Sequence, residues 1–305
     1  MGTNTYTSLS SNVKAFPREL VGLYKIRTAN MPGEVARSLS DLKDVEAAAI
    51  EQGGKPLRGL DVLVVGCGQT PRELIGFGAT NRVTGIDLDV IPNGFDPSTY
   101  LRLLKQNGPV RVVKTIGRKA LGVDRSYRAE MMKQLGLPSI SSPTILQMDA
   151  TKMSFSNGRY DFVYSFSVFE HLSDPTSVIN EMHRVLKPGG IGYVSAHFWT
   201  SVSGSHDIRV FSNGLDAVPM WAHLRPSVKH LSTENTYLNY WTLAQYNALY
   251  ETLPNASVRL AFHDPEPAAE LRAELTKLRA AGELESYTDD ELLGINYSVT
   301  WRKDA

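Results

Sequence analysis

Residues 64–73 read VVGCGQTPRE, and this stretch decides the fold class. Two β-branched residues run into Gly66 and Gly68, and a helix-start pattern follows at once. Glycine lets the backbone turn with positive φ and approach a ligand closely, while the free N–H groups of a helix N-terminus point to the same place. The stretch therefore predicts a strand, a ligand-binding turn and a helix in immediate succession.

The helix start also indicates which ligand the turn does not bind. Thr70 is predicted as the N-cap, Pro71 as the first helical residue and Glu73 as the acid that completes a capping box. A dinucleotide-binding loop has a third glycine at the position that Pro71 occupies here. The loop is therefore predicted to bind a ligand other than a pyrophosphate.

Short apolar runs alternate with helical patterns from residue 60 onward. The predicted strands are 60–66, 82–88, 144–149, 160–166, 190–198, 257–264 and 295–303. This alternation predicts a doubly wound α/β fold with a seven-stranded, mostly parallel sheet. Residues 1–57 are predicted to form an N-terminal helical cap on a domain of residues 58–305. The intervals 89–143 and 199–256 are too long for simple crossovers and are predicted to be lid insertions.

Composition limits the protein class. The 305 residues are 42% hydrophobic and 21% charged, as in a soluble globular protein, and the zero net charge argues against general nucleic-acid binding. The first residues lack the apolar core of a signal peptide, and no apolar run is long enough to span a bilayer, so a cytoplasmic location is expected. Cys67, the single cysteine, excludes internal disulfides and a multi-thiolate metal site.

Two acidic residues follow neighbouring strands of the predicted sheet. Asp87 ends the second strand about twenty residues after the glycine loop, where a carboxylate accepts hydrogen bonds from both ribose hydroxyls. Asp149 ends the third strand at the same sheet edge and could bind an adenine amino group. The two residues predict a ligand that contains adenosine, without separating NAD from other adenosyl compounds.

Four sequence elements in this order resemble the class I S-adenosylmethionine-dependent methyltransferases. The elements are VLVVGCGQT, GIDLD, LQMDATKMSFSNGRYDFVYSFSVFEHL and INEMHRVLKPGG. The resemblance covers residues 58–198, and RVLKPGG before a strand is a marker of the branch that methylates small molecules. It implies a Rossmann-like methyltransferase fold, S-adenosylmethionine as cofactor and S-adenosylhomocysteine as product.

The resemblance also assigns residues to the cofactor. Gly66 and Gly68 would contact its methionine part, and Asp87 its ribose. Leu88 would pack on the adenine ring and Asp149 would contact the adenine amino group. The set is completed by Cys67 in the loop, Ala150 beside Asp149, and Phe166 and Ser167 on the wall that faces the methyl group.

The acceptor chemistry is predicted from the histidines. A phenol, with a pKa of about 10, loses its proton easily, whereas an aliphatic hydroxyl needs a positioned base. His171, in the EHL segment, matches a position that serves as base in some sugar methyltransferases. His206 is the rival base. Asp207 and His206 could instead hold a divalent ion such as Mg²⁺, although no ligand spacing supports this.

The second lid is rich in groups that suit a carbohydrate. Aromatic rings for stacking are supplied by Trp199, Trp221, Tyr237, Tyr240 and Trp241. The residues predicted to contact the acceptor are His197, Asp207, Trp221, His223 and Arg225. The alternative is that the aromatic residues form the lid's own small core.

The first lid is basic. Nine basic and three acidic residues lie between Asp96 and Leu137, a net charge of +6. A solvated helix face is the simplest interpretation of the segment 102–133. The alternative is a contact with an anionic membrane surface or a phosphate-bearing acceptor.

The leading hypothesis is an O-methyltransferase that acts on a hydroxyl of a sugar, glycan or glycolipid with a histidine as general base. One alternative acceptor is a phenol, quinone or other natural-product scaffold. A cofactor-binding protein without catalytic activity is a third hypothesis. The sequence leaves the oligomeric state open.

Overall fold

The computed structural model describes residues 31–68, 72–89 and 96–304. The predicted cap residues Thr70 and Pro71 and the first thirty residues lie outside these ranges. The described helices are α1 Met31–Glu51, α2 Arg72–Gly78, α3 Pro97–Ala120, α4 Val123–Leu135, α5 Pro175–Val185, α6 Ile208–Asn213, α7 Leu243–Tyr250, α8 Pro265–Ala280 and α9 Asp289–Leu293. The described strands are β1 Asp61–Val65, β2 Arg82–Asp87, β3 Thr144–Gln147, β4 Tyr160–Phe166, β5 Leu186–His197, β6 Ser257–Phe262 and β7 Gly294–Arg302.

The seven strands form one sheet in the order β3-β2-β1-β4-β5-β7-β6. β1 pairs in parallel with β2 and β4, and β2 pairs in parallel with β3. β7 runs antiparallel to β5, since Gly189 N–H donates to Lys303 and Lys303 N–H donates to Gly190, both at 2.9 Å. The predicted doubly wound, seven-stranded sheet is confirmed, and the antiparallel strand β7 makes it a mixed sheet.

The chain divides into two compact units. The first unit comprises, within the described ranges, residues 31–165, 176–193 and 300–304; the second comprises residues 166–175 and 194–299. The predicted boundary after residue 57 and the two lid insertions stay predictions.

The core of the first unit forms around β1 and the helices that cover it. Residues 62–65 of β1 are at most 2% exposed, as expected for a parallel strand buried on both faces. Helix α1 packs against α2 and α4. Its Leu42 lies so close to Gly76 that a Cβ on this glycine would meet Leu42 Cδ1 at 2.5 Å. Gly76 therefore allows the two helices to approach.

A lysine ends helix α5 in the first unit. Lys303 Nζ donates to the carbonyl oxygens of His183, Arg184 and Leu186 at 2.9, 3.1 and 2.9 Å. The last carbonyls of a helix have no partner within the helix, and a cation at this end is favoured by the helix dipole. The strand β7 thereby fixes the end of the helix that precedes β5.

One glycine of β5 is required by packing. A Cβ at Gly192 would lie 2.0 Å from Trp301 Cζ2, and Trp301 is fully buried. We expect Gly192→Ala to destabilise the fold by about 3 kcal/mol, because the indole has no free volume to move into. Urea unfolding of the two proteins measures this free energy.

Gly59→Ala is the matched control for this substitution. A Cβ there would meet nothing within 4 Å, but the residue has φ +71. Only the backbone cost of about 1 kcal/mol is expected. An equal or smaller loss in Gly192→Ala would contradict the packing argument.

Within the predicted first lid, α3 is bent at Gly108, which has non-helical φ 81 and ψ 172. Several of its predicted basic side chains have partners, since Arg111 pairs with Asp89 at 3.1 Å and Arg118 pairs with Asp124. A contact of this segment with a membrane or a phosphate stays a prediction. Among the described helices, none is long and apolar enough to cross a membrane.

Candidate active site

The glycine loop of the first unit is tied to the end of β2. Gly66 and Gly68 have φ 70 and 61, as the sequence requires of a tight turn. The N–H groups of Gly66 and Cys67 donate to Ile86 O at 2.9 and 3.1 Å. Gly68 N–H donates to Asp87 Oδ2 at 2.8 Å, so the predicted ribose acid also holds the loop.

Asp87 is a buried carboxylate with a defined orientation. Its Oδ1 accepts a bond from Asp89 N–H at 2.9 Å. Burial raises the pKa of Asp87, while the N–H groups of Asp89 and Gly68 and the charge of Arg111 act in the opposite direction. The carboxylate is thus positioned by two backbone donors and keeps lone pairs for further donors.

The residues at the carboxyl ends of β1, β2 and β3 fit an adenosyl ligand. Among the described residues, a Cβ at Gly68 would meet no atom within 4 Å, which leaves room for a ligand against the backbone there. Leu88 is 55% exposed at the end of β2, which offers an apolar surface to a purine ring. Asp149 Oδ1 accepts bonds from both the N–H and the hydroxyl of Thr151 at 2.8 Å, with Ala150 between them.

The segment after β4 is fixed within the second unit by Asn239. Residues Phe169–His171 form a short 3-10 helix. Asn239 Nδ2 donates to the carbonyls of Phe169 and Leu172 at 2.8 and 3.0 Å, and Asn239 N–H donates to Glu170 O at 2.9 Å. Asn239 therefore holds the backbone around His171 at three residues, Phe169, Glu170 and Leu172.

His171 has a defined tautomer. Its Nδ1 lies 2.8 Å from Tyr237 O. A carbonyl oxygen only accepts, so Nδ1 must carry the proton and Nε2 must carry the lone pair. Nε2 lies 3.9 Å from Glu170 Oε1. Burial lowers the pKa of His171, which is only partly offset by the bond to Tyr237.

Two further histidines lie beside His171. The ring of His206 is 4.9 Å from that of His171 and 5.8 Å from that of His197, both edge to face. Burial and the neighbouring histidines lower the pKa of His206 to about 3. His206 adopts a left-handed backbone with φ 53, which is costly for a residue with a Cβ. The fold therefore brings together three residues that the sequence assigned to the site.

Glu170 is a member of this cluster that the sequence analysis missed. Its side chain is 2% exposed, and neither carboxylate oxygen makes a hydrogen bond within the described part of the chain. Burial raises its pKa to about 7, although the backbone N–H groups of Glu170 itself and of His197 act in the opposite direction. Its only sequence signal is the place next to His171, and adjacency alone does not indicate a shared site.

Asp207 has a different environment from the one predicted. Its carboxylate is fully buried and accepts bonds from Arg209 Nε at 2.9 Å and from Thr233 N–H at 2.8 Å. It is also the N-cap of α6. These partners occupy its oxygens, so the predicted alternative of a Mg²⁺ ion between His206 and Asp207 is not supported.

The other predicted acceptor contacts of the second unit lie in its interior. Trp221 is 0% exposed, belongs to a core with residues of α8, and donates from Nε1 to Leu292 O at 3.1 Å. His223 Nε2 lies 2.7 Å from Trp199 O, and Arg225 pairs with Glu283. These positions favour the alternative in which the lid's aromatic and polar groups form its own core.

Two of the predicted aromatic residues are instead accessible. Tyr237 and Tyr240 are 49% and 46% exposed. Tyr237 is the residue whose carbonyl orients His171. Phe166 is 43% exposed, and Ser167, which follows it, has φ 52. The second unit therefore presents open aromatic side chains on the same segments that position its histidine cluster.

Comparison with known proteins gives a family match for one segment. Residues 102–194 match the family described as a methyltransferase domain. An uncharacterized methyltransferase of Mycobacterium sp. strain JLS is 35% identical over 63 residues, which are 21% of this chain and 25% of that protein. Another, from Mycolicibacterium vanbaalenii, is 29% identical over 92 residues, 30% of this chain and 36% of that protein. The chain thus spans about a quarter to a third of the length of these relatives.

Solved structures align over most of the chain at low identity. Phosphoethanolamine N-methyltransferase 2 of Haemonchus contortus, in complex with S-adenosyl-L-methionine, has a TM-score of 0.44 and 14% identity over 86% of this chain and 53% of that chain. The YcgJ protein of Bacillus subtilis has a TM-score of 0.42 and 13% identity over 88% of this chain and 99% of that chain. Residues 102–194 of this chain therefore match a methyltransferase domain, and they lie in a chain whose seven strands have the order given above.

Proposed function

We propose that this protein is an S-adenosylmethionine-dependent O-methyltransferase that acts on a hydroxyl of a sugar, glycan or glycolipid. The observation that carries the proposal is the bond between His171 Nδ1 and Tyr237 O. It leaves the lone pair of Nε2 for the proton of an acceptor. A phenol would need no such base, whereas an aliphatic hydroxyl does.

The chain's residues have separate tasks in the proposed reaction. When bound, the cofactor supplies a methyl group that is already activated as part of a sulfonium. Gly66 and Gly68 would let the cofactor approach the backbone of the loop, Asp87 would bind its ribose, and Leu88 would lie against the adenine ring. Alignment of the acceptor and removal of its proton are then the remaining requirements.

Proton removal is assigned to His171. Nε2 would take the hydroxyl proton as the acceptor oxygen receives the methyl group and the sulfur–methyl bond of the cofactor breaks with its electron pair left on sulfur, which would make the ring an imidazolium. Tyr237 O, at 2.8 Å from Nδ1, stabilises that charge through its hydrogen bond. The carboxyl group of Glu170, 3.9 Å from Nε2, adds an electrostatic contribution. His206 is the second candidate for the base.

The accessible aromatic residues support a sugar acceptor. Tyr237 and Tyr240 offer flat apolar faces at about half exposure, and Tyr240 donates its hydroxyl to Glu234 at 2.5 Å. Aromatic faces beside hydrogen-bonding groups suit pyranose rings, which have apolar C–H faces and polar edges. Direct contacts from His197 stay a prediction.

The proposal is tested by assaying methyl transfer from isotopically labelled cofactor. The full chain is presented with saccharides, phenols and amines at equal concentration, in the presence of a chelator. We expect turnover on saccharides, with the label recovered in an O-methyl group. Turnover confined to phenols or to amines would contradict the proposal, and the first of these results would favour a natural-product acceptor.

A further inference from the structure

The second unit contains three potential metal ligands in one place. One donor atom from each of Glu170, His171 and His206 can be chosen so that all lie within 4.8 Å of one another. All three residues belong to the second unit, and two of them are consecutive on the short 3-10 helix. The grouping is independent of the glycine loop and of Asp87.

Glu170 is the observation that points to a ligand. A carboxylate that is 2% exposed and makes no well-formed hydrogen bond within the described residues is expensive, because the nearby backbone N–H groups of Glu170 and His197 only partly replace the hydration that burial removes. Buried carboxylates are ordinarily paired with a cation, a donor or a metal ion. Nε2 of His171 lies 3.9 Å from Glu170 Oε1, which is too far for a hydrogen bond.

The hydrogen bonding of His171 matches that of a metal ligand. In metal sites the ring nitrogen that does not bind the ion usually donates to a carbonyl or carboxylate, which fixes the ring and its tautomer. His171 Nδ1 is engaged in this way with Tyr237 O at 2.8 Å. Its Nε2 is therefore the nitrogen with a lone pair, and it is the one that faces Glu170.

The donor set indicates which ion the site prefers. Two imidazoles and one carboxylate are typical ligands of Zn²⁺ and of other late divalent transition metals, whereas Mg²⁺ prefers oxygen ligands and retains water. Metal bonds of about 2.0–2.2 Å place tetrahedral donors about 3.3 Å apart, so the side chains would move inward by about 1 Å on binding. His171 and His206 are only partly buried, so the cluster is not sealed from solvent.

We propose that Glu170, His171 and His206 form a binding site for one divalent transition-metal ion of the Zn²⁺ type, and that the bound ion inhibits methyl transfer. The inhibitory part rests on the proposed function, in which Nε2 of His171 takes the acceptor proton. Metal and proton compete for the same lone pair. The metal-loaded site is then a resting form of the enzyme, and loss of the ion restores the base.

Binding is measured without any reference to activity. The full chain is freed of metal by dialysis against a chelator and titrated with Zn²⁺ in a calorimeter. We expect one ion per chain, and visible ligand-field absorption of a low-symmetry site when Co²⁺ is used instead. Mg²⁺ at the same concentration is expected to give no binding signal.

Glu170→Gln is the main variant, because it keeps the shape of the side chain and removes its charge. We expect Zn²⁺ affinity to fall at least 100-fold, with thermal unfolding showing that the variant is folded. His206→Ala removes a ligand from a different segment of the chain, and its Zn²⁺ affinity should fall to a similar extent. His230→Ala, an exposed histidine outside the cluster, is the control and should bind as the parent does.

The outcomes separate the two proposals. Absence of a one-to-one complex, or equal affinity in the parent protein and in both cluster variants, overturns the metal site. Stoichiometric binding that the variants lose, together with inhibition that a chelator reverses, supports it. Zn²⁺ binding that leaves the transfer rate unchanged, or raises it, supports the metal site. The same result overturns the proposed inhibition and, with it, the assignment of His171 as the base.

Discussion

Replacing His171 by alanine is expected to lower kcat on a saccharide acceptor by two to four orders of magnitude. This is the usual contribution of a positioned general base. An aliphatic hydroxyl is too weak an acid for solvent to replace that base. Initial rates of labelled methyl transfer, measured in a chelator so that the site is free of metal, give the ratio. Affinity for the cofactor, measured by calorimetry, should change little.

His171→Gln tests the basic nitrogen of the side chain separately from its hydrogen bond to Tyr237. The amide can still donate to Tyr237 O, as the imidazole Nδ1 does at 2.8 Å, but it cannot accept the acceptor proton. We therefore expect it to be as inactive as His171→Ala. His230→Ala is the matched control and should retain the parent rate. A loss of less than tenfold in both His171 variants would show that another group removes the proton.

Replacing Asp87 by alanine is expected to weaken cofactor binding at least 100-fold. Hydrogen bonds to a charged group contribute about 1.5–3 kcal/mol each, and the carboxylate would lose two of them to the ribose. The substitution also frees Gly68, whose N–H donates to Asp87 Oδ2 at 2.8 Å. Calorimetric titration with S-adenosylhomocysteine measures the affinity without turnover.

A second carboxylate of the first unit serves as the control for Asp87. Asp61 begins β1 and pairs with Arg82 at 2.7 Å and Lys187 at 3.1 Å, so Asp61→Ala removes a carboxylate that the cofactor does not need. We expect its cofactor affinity to remain that of the parent. Asp87→Asn keeps one acceptor for Gly68 N–H and should still lose at least tenfold. If Asp87→Ala binds S-adenosylhomocysteine with an affinity within threefold of that of the parent, Asp87 does not contact the cofactor.

The strands were predictable because buried parallel strands are locally encoded. β4 occupies residues 160–166, as predicted, since both faces of this strand are covered and its apolar run is continuous. β5 begins at Leu186, four residues before its predicted start. The Lys187-Pro188-Gly189 segment precedes the predicted strand, and its pairing with the distant Lys303 extends the strand backward.

The candidate site was predictable only where its signal is local. The glycine loop and Asp87 are twenty residues apart and carry a spacing, and His171 stands in a short motif. The orientation of His171 depends on Tyr237, which lies 66 residues later, and no pattern connects the two.

The residues of the second unit whose environment the sequence did not predict have the same explanation: the contacts that decide their environment are distant in sequence. Trp221 stands in an alternation of aromatic and polar residues that suits a sugar site and a small core equally well. Its partner Leu292 lies 71 residues away, and that contact places the ring in the core. The burial of Glu170 without a hydrogen bond is likewise a property of the folded chain that its own sequence neighbours do not reveal.

Cys67 gives the glycine loop a thiol, which Gly66 and Gly68 cannot supply. The thiol is 5% exposed, and its pKa is raised by burial and by the charge of Asp87. A buried, protonated thiol is a poor nucleophile. Since it is the single cysteine of the chain, a thiol reagent has one target, and burial of the thiol slows that reaction. The rate of labelling therefore reports how accessible the loop is, at the point where the cofactor is proposed to bind.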